Sequence, residues 1–153
     1  MISEETLEVR MDAFRRRCVE LGLAYTHQRM VIYKALASTD AHPTPESIYE
    51  QVRREIPAIS LGTVYKNIRT FTEAGLLREV NVLHDSLRLD ANLGNHHHLV
   101  CVRCKAVIDI PSENIEPVNL ILPLPDGFQL KRTTVELLGV CSQCSESVLE
   151  KEN

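Results

Sequence analysis

Residues 96–104 read His-His-His-Leu-Val-Cys-Val-Arg-Cys, and a second Cys-x-x-Cys pair follows near the end of the chain. Two cysteines separated by two residues can direct both sulfurs at one metal ion, and two such pairs complete a tetrahedral zinc site. In a reducing compartment this spacing favours zinc over disulfides. We therefore predict a structural zinc, closed to substrates, with the ligands Cys101, Cys104, Cys141 and Cys144.

The histidines before the first cysteine pair form a different pattern. On an extended strand His96 and His98 point to the same face and can bind one ion together, whereas His97 points away. Imidazole and carboxylate ligands without thiolate lean toward iron or manganese. The fold would have to bring further ligands near, and the candidates are His42, Asp90 and Asp109.

Length and composition indicate an ordinary globular chain. It has 153 residues, of which 44% are hydrophobic and 25% charged, and this balance allows a packed core. No apolar run is long enough to cross a membrane, and the first residues are acidic where a signal peptide would be basic. We expect a cytoplasmic protein.

The net charge of −4 by itself argues against a nucleic-acid partner, but the distribution of the charges along the chain does not. Residues 10–34 contain six basic and two acidic side chains, and the excess of negative charge lies in the second half of the chain. A local basic patch of this kind is typical of DNA-binding surfaces, although it can also be an ordinary exposed helix face.

The first half of the chain reads as four short helices. An apolar stripe that includes Cys18, predicted to be a buried core thiol, marks the first helix at about residues 4–21. Isolated histidines, His27 and His84, are not expected to be ligands. The start and stop signals for the other helices are Thr26, Thr44 with Pro45, Ser60 and Gly75.

Two β-prone runs, residues 77–83 and 87–89, follow the helices and predict a hairpin with a turn at His84-Asp85-Ser86. Helices followed by a hairpin predict a winged helix-turn-helix whose fourth helix enters the DNA major groove. The alternative is a helical hairpin whose polar face is only solvated. The predicted DNA contacts are Thr63, Tyr65, Lys66 and Asn67, facing outward from the fourth helix, and Arg29 on a phosphate.

The second half predicts a small sheet domain. Strands are expected at residues 99–102, 106–110 and 128–138, and prolines limit any helix between the last two to a short piece near residues 112–122. The whole chain is then an α+β protein. Its predicted parts are a winged-helix domain at 1–84, a hinge at 85–95 and a metal-binding domain at 96–153.

The ordered combination of these motifs resembles the ferric uptake regulator (Fur) family. The resemblance covers nearly the whole chain and implies a homodimeric, metal-dependent repressor with a C-terminal dimerisation domain and an inverted-repeat operator in double-stranded DNA. The motifs that carry it are Thr26-His27-Gln28-Arg29, Ala41-His42-Pro43-Thr44, Ser60-Leu61-Gly62-Thr63-Val64-Tyr65, and the run from His96 to Cys104 with Cys141 and Cys144.

Within the family the chain is most similar to the peroxide-responsive branch, because Asp90 stands where iron sensors typically have Glu. That similarity implies that Fe(II) or Mn(II) closes the dimer onto DNA and that peroxide oxidises His42 or His96. His27 and Lys105 depart from the family motifs without touching a proposed ligand. The implied regulatory ligands are His42, Asp90, His96, His98 and Asp109.

Three alternatives stay open at this point. A regulator of the same family that senses iron, manganese or zinc would bind its operator in a metal-dependent way without responding to peroxide. A metalloenzyme would need a general base and a substrate pocket that the sequence does not reveal, so we predict no enzymatic activity. A zinc-ribbon interaction module would not bind DNA at all.

Overall fold

The computed structural model describes residues 2–82, 86–121 and 123–149. It is a mixed α/β chain, as the sequence predicts. In chain order the elements are α1 (Glu4–Glu20), α2 (His27–Ala37), α3 (Pro45–Val52), α4 (Leu61–Glu73), β1 (Arg78–Val82), β2 (Ser86–Asp90), β3 (His96–Cys101), β4 (Val107–Pro111), a 3₁₀ turn (Ser112–Asn114), β5 (Glu136–Gly139) and α5 (Ser142–Leu149).

The helices of the first half begin where the capping signals predict. The hydroxyl of Thr26 accepts a hydrogen bond from the Arg29 amide at 3.3 Å, and those of Thr44 and Ser60 cap α3 and α4 in the same way. Each bond satisfies one of the amides that a helix leaves without a partner at its start. Gly75 follows α4 with a φ of 70°, a left-handed conformation that ends a helix at little cost for glycine.

Aromatic rings fill the centre of the first unit. The Phe14 and Tyr33 rings stack with centroids 4.2 Å apart, and the edge of Phe71 meets both of them at 5.4 Å. Cys18 is buried beside this cluster, which confirms its prediction as a core thiol, and burial raises its pKa. The four helices are thus held around one apolar core.

The wing is the antiparallel pair of β1 and β2, in which Arg78 lies opposite Asp90. The predicted hairpin is confirmed, although residues 83–85, which include most of the predicted turn and the predicted boundary at 84 and 85, lie outside the described residues. Residues 86–90, at the start of the predicted hinge, belong to the strand.

A three-stranded sheet with the order β4-β3-β5 forms the second unit. β3 pairs antiparallel with β4, placing His98 opposite Asp109, and pairs parallel with β5, placing Leu99 opposite Leu137. β3 begins at His96 rather than at the predicted residue 99, because the histidines have ladder partners on β4 as far as Pro111.

The predicted strand at 128–138 is wrong for residues 128–135. Only Glu136–Gly139 forms a strand, and Phe128 is 58% exposed. In the parallel register His98 lies beside Glu136, so residues 128–133 extend past the first residue of β3 and have no strand beside them in that sheet. Ladder partners, which the residue pattern does not specify, decide where this strand starts.

The helical predictions in the second half also need correction. Between β4 and β5 the expected short helix at 112–122 is reduced to the 3₁₀ turn, with residue 122 outside the described part, whereas α5 was not predicted. None of the helices in the described ranges has the length and apolar character that crossing a bilayer requires. The chain divides into two compact units, Met1–Leu93 and Gly94–Asn153.

Candidate metal centres and nucleic-acid interface

The four predicted zinc ligands lie together in the second unit. The sulfurs of Cys101, Cys104, Cys141 and Cys144 are all within 4.8 Å of one another, and those of Cys104 and Cys141 are 3.7 Å apart. Two sulfurs bound to one zinc at about 2.3 Å in tetrahedral geometry are about 3.8 Å apart. The cluster therefore has the dimensions of a closed four-thiolate zinc site.

Two turns bring these sulfurs to one point. The first pair spans the turn after β3, where Lys105 adopts a left-handed φ of 61° and its amide donates to the Cys101 carbonyl at 3.0 Å. The second pair starts α5, where the amides of Cys144 and Ser145 donate to the Cys141 carbonyl. Arg103 joins the turns by donating to the Cys144 carbonyl at 2.8 Å.

Without a cation, the four closely spaced thiols cannot all ionise favourably. The Cys141 amide donates to the Cys101 sulfur at 3.4 Å and, with neighbouring amides, lowers the pKa of Cys101 to about 6. The hydrogen bond to the Cys141 sulfur, with burial, raises the pKa of Cys144 to about 12. Because adjacent thiolates repel one another, full ionisation of the set requires a metal ion.

A second group of possible metal ligands lies nearer the start of β3, before Cys101. The Nε2 atoms of His96 and His98 are 3.1 Å apart, and the Oδ1 atom of Asp109 lies 3.6 and 3.7 Å from them. Two nitrogens that bind one ion at about 2.1 Å and at right angles are about 3 Å apart. Both histidines are buried, so these three residues present nitrogen and oxygen donors to one small volume.

A hydrogen bond at Nδ1 of His96 determines that its Nε2 atom faces the other two side chains. Its Nδ1 lies 3.0 Å from the Gly94 carbonyl oxygen, which can only accept a hydrogen bond. Nδ1 therefore carries the proton of this bond, and Nε2 is the ring nitrogen that lies beside His98 and Asp109, the arrangement that a metal-ligating histidine requires. His97 behaves differently: its Nδ1 accepts the amide of Val135 at 3.1 Å, so its ring supports the backbone beside β3.

The other two predicted ligands lie in the first unit. His42 and Asp90 are 2% and 3% exposed, and the distance from His42 Nε2 to Asp90 Oδ1 is 4.0 Å. A backbone bond from the Leu89 amide to the Pro43 carbonyl, 2.9 Å long, holds their two segments side by side. A buried imidazole beside a buried carboxylate is again a donor set suited to iron, manganese or zinc.

The outward face of α4 carries three of the predicted DNA contacts. Tyr65 and Lys66 are exposed, and Thr63 is half-buried beside the Ser60 cap. The Tyr65 hydroxyl donates to the Glu46 carboxylate on α3 at 2.5 Å, and this bond lowers the pKa of Glu46 and raises that of Tyr65. The ring is thereby held at the surface in a defined orientation.

Asn67 does not face outward, contrary to the prediction. It is 8% exposed, its amide nitrogen donates to the Thr63 carbonyl at 2.8 Å, and its Oδ1 accepts from Arg29 Nε at 3.4 Å. Arg29 also donates to the Ala24 carbonyl at 2.8 Å. The helical period places residue 67 near the edge of the apolar face, and the guanidinium of α2 provides the buried amide with a partner there.

A model of the ferric uptake regulator family matches residues 20–138, more than half of the chain. The chain belongs to the ferric uptake regulator family. Among curated relatives of this Fur-family protein, the peroxide operon regulator of Bacillus subtilis (strain 168) is 34% identical over 88% of this chain and 90% of its own length. The peroxide-responsive repressor PerR of Staphylococcus epidermidis is 32% identical over 82% and 83%, respectively.

A solved structure extends the likeness of the Fur-family chain to three dimensions. The Campylobacter jejuni peroxide stress regulator is 26% identical, covers 88% of this chain and 98% of its own, and has a TM-score of 0.62. Family membership and the winged-helix fold predicted from the sequence are therefore confirmed. The similarity to the peroxide-responsive branch is confirmed as well.

Sequence reasoning missed several residues that shape these sites. Gly94 and Val135 act through backbone atoms, which leave no signal in the side-chain pattern. Glu46 has the sequence signature of an acidic residue in the first turn of a helix, but its bond to Tyr65 joins two helices and could only be found in the fold.

Proposed function

We propose that this Fur-family protein is a metal-dependent transcriptional repressor that senses hydrogen peroxide at a thiolate-free metal site. The observation that carries the proposal is the buried pair His96 and His98, with Nε2 atoms 3.1 Å apart beside Asp109. Support also comes from relatives named as peroxide regulators. Because repression requires chromosomal DNA, we place the protein in the cytoplasm.

The proposed regulatory ligands are the five that the resemblance to the Fur family implies: His42, Asp90, His96, His98 and Asp109. Together they would bind one Fe(II) or Mn(II) ion, which imidazole and carboxylate donors suit. Bound Fe(II) would supply the reducing power that lets peroxide oxidise a ligand histidine, His42 or His96. The chain itself orients Nε2 of His96 and buries the imidazoles of His42 and His96 away from bulk water.

A separate zinc would hold the second unit together. Four thiolates complete the coordination of zinc and leave no position for peroxide, so this ion has a structural role. The proposed ligands are Cys101, Cys104, Cys141 and Cys144.

We propose that α4 reads DNA. Tyr65 has an apolar ring suited to thymine methyl groups, Thr63 offers a hydroxyl, and Lys66 is an exposed cation for phosphate. Arg29 keeps its place in the proposed interface as a phosphate contact, while Asn67 would act mainly by holding Arg29, to which it is hydrogen-bonded.

The repressor would bind an inverted-repeat operator as a homodimer. Support comes from the outer face of the sheet, where Leu99, Ile108 and Leu137 are cross-strand neighbours and are 42%, 52% and 42% exposed. A contiguous apolar stripe of this kind marks an interaction surface. Two copies related by a two-fold axis would present two α4 helices to two half-sites.

Mass spectrometry of iron-loaded protein after peroxide tests the sensing proposal. We expect one added oxygen on a peptide that contains His42 or His96, together with loss of operator affinity. Manganese-loaded protein is the control, because the same ligands hold a metal that reduces peroxide less readily. Unmodified histidines and unchanged operator affinity in the iron-loaded protein would reject peroxide sensing.

The second candidate is a Fur-type regulator that senses the availability of iron, manganese or zinc. It is favoured by the donor set itself, since histidine and aspartate bind all three metals. This function predicts operator binding that rises with added metal and persists after treatment with a low concentration of peroxide.

A further inference from the structure

The connection between α2 and α3 holds the proposed ligand His42 in an unusual conformation. His42 has a φ of 49°, in the left-handed region, and is followed by Pro43. Few residues with a side chain adopt this region, and those that do persist there only when their surroundings fix them. The contacts on either side of His42 therefore determine whether its imidazole stays in place.

The side after His42 is fixed by main-chain contacts. The Leu89 amide of β2 donates to the Pro43 carbonyl at 2.9 Å, and Thr44 caps α3. These bonds depend on no particular side chain of β2, so substitutions there would leave them in place. This end of the connection is anchored to the wing and to the next helix.

On the side before His42, a side chain of α1 contacts the connection, in which the Ala41 amide also donates to Thr39 Oγ1 at 3.0 Å. Arg10 donates from Nη1 to the Ala37 carbonyl at the end of α2, at 3.0 Å, and from Nη2 to the Asp40 carboxylate at 2.7 Å. The Arg10 side chain is 13% exposed. Its planar guanidinium bridges the main chain of Ala37 and the side chain of Asp40, five and two residues before His42, in a geometry that lysine cannot reproduce.

We propose that Arg10 is a positioning residue for the metal ligand His42. By holding Ala37 and Asp40 it would keep the 38–43 connection in the form that directs the imidazole at the metal. The inference rests on the proposed function, since it requires His42 to be a ligand. Residues that orient a ligand typically change metal affinity by about 10- to 100-fold when they are replaced.

Arg17 provides a matched control on the same helix. It donates to the Ala74 carbonyl at the end of α4 at 2.9 Å and pairs with Glu20 at 3.0 Å. Both arginines thus bind a carbonyl at a helix end together with a carboxylate, and their loss should cost similar stability. Only the Arg10 contacts lie in the connection that carries His42.

Titration of the zinc-containing full-length protein with Mn(II) tests the inference. We expect Arg10→Ala to weaken Mn(II) binding about tenfold, Arg10→Lys to recover part of the loss, and Arg17→Ala to leave the affinity within about twofold. In a His42→Ala background the Arg10 change should have no further effect, because the ligand that it positions is gone. Should Arg10→Ala fail to fold, Asp40→Ala breaks the exposed half of the bridge and should weaken binding in the same direction.

Two results would overturn the proposal in distinguishable ways. Equal Mn(II) affinities for the Arg10 and Arg17 variants, with His42→Ala clearly weaker, would leave the metal site standing and reject Arg10 as a positioning residue. An unaltered affinity in His42→Ala would instead reject His42 as a ligand, and with it both the five-ligand site and the inference.

Discussion

At the level of single residues, a hydroxyl–carboxylate bond controls how Tyr65 is presented on the DNA-facing surface. Tyr65 donates to Glu46, so the bond favours the ionised carboxylate and lowers its pKa below the ordinary value of 4.5. Its stabilising contribution is present above pH 4.5 and is lost as the pH falls through the lowered pKa. Because both groups are exposed, that contribution is below about 1 kcal/mol.

Replacing Tyr65 by phenylalanine should therefore return the pKa of Glu46 toward 4.5. Carboxyl chemical shifts followed through an NMR pH titration would measure the change directly. Tyr25→Phe, at another partly exposed tyrosine of the same unit, is the control and should leave Glu46 unaffected. If the Glu46 titration were identical in wild type and Tyr65→Phe, the bond would not exist in solution.

At the level of elements, the helices were predictable and the strands of the second unit less so. Helix starts depend on local capping, so Thr26, Thr44 and Ser60 revealed them in sequence. The start of β5 depends on the register against β3, and the burial of Asn67 depends on a guanidinium from another helix. Contacts between distant segments leave no local pattern, which is why these two expectations failed.

The zinc cysteines were foreseeable for the same reason as the helices. Their Cys-x-x-Cys spacing is local, and it is matched by sulfurs that lie within 4.8 Å of one another. The His96 and His98 pair follows from strand alternation. Asp109 joins them only because β3 and β4 pair in one register, so from the residues alone it was one candidate among several.

The N-terminal half of α4 carries the element-scale prediction for DNA. Lys66→Ala should weaken operator binding and reduce the slope of log affinity against log salt by about one, since one fewer phosphate is neutralised. Fluorescence anisotropy over a range of salt concentrations would measure both. Arg69→Ala is the matched control: this exposed cation of the same helix is paired with Glu73 at 2.9 Å.

Equal salt slopes for Lys66→Ala and wild type would remove Lys66 from the interface. A change of slope in Arg69→Ala of the same size would mean that the measurement reports the overall charge of the helix rather than a particular phosphate contact. The two variants together therefore separate a local contact from a general electrostatic effect.

For the whole molecule, the two units differ sharply in how much apolar surface they bury. The first contains the aromatic cluster of Phe14, Tyr33 and Phe71 and many aliphatic side chains around it. Among the described residues of the second unit, the buried apolar side chains are Val100, Cys101 and Val107. The apolar burial described for this unit is too small to offset the entropy of ordering the chain, so we expect the second unit to depend on the proposed zinc and on the proposed dimer contact.

Removal of zinc should therefore unfold the second unit while the first stays folded. Hydrogen exchange after treatment with a strong chelator would show loss of protection in β3 and β4 and persistent protection in α2 and α4. Structural zinc contributes about 10–16 kcal/mol in small domains, so the loss should be complete rather than partial. Protected β3 amides in protein shown to be free of zinc would contradict this dependence.

The alternation of side chains along β3 has a genetic consequence. His96 and His98 share the face of Asp109, whereas His97 faces the other way. A deletion of one residue between His98 and Cys101 would remove none of the proposed ligands. If the cysteine turn kept its position, however, the histidines would shift by one residue, so that His96 and His98 would point to the opposite face of the sheet. Such a frame-preserving deletion would produce a protein that keeps its four zinc cysteines but has lost the regulatory histidine pair, and it would no longer repress.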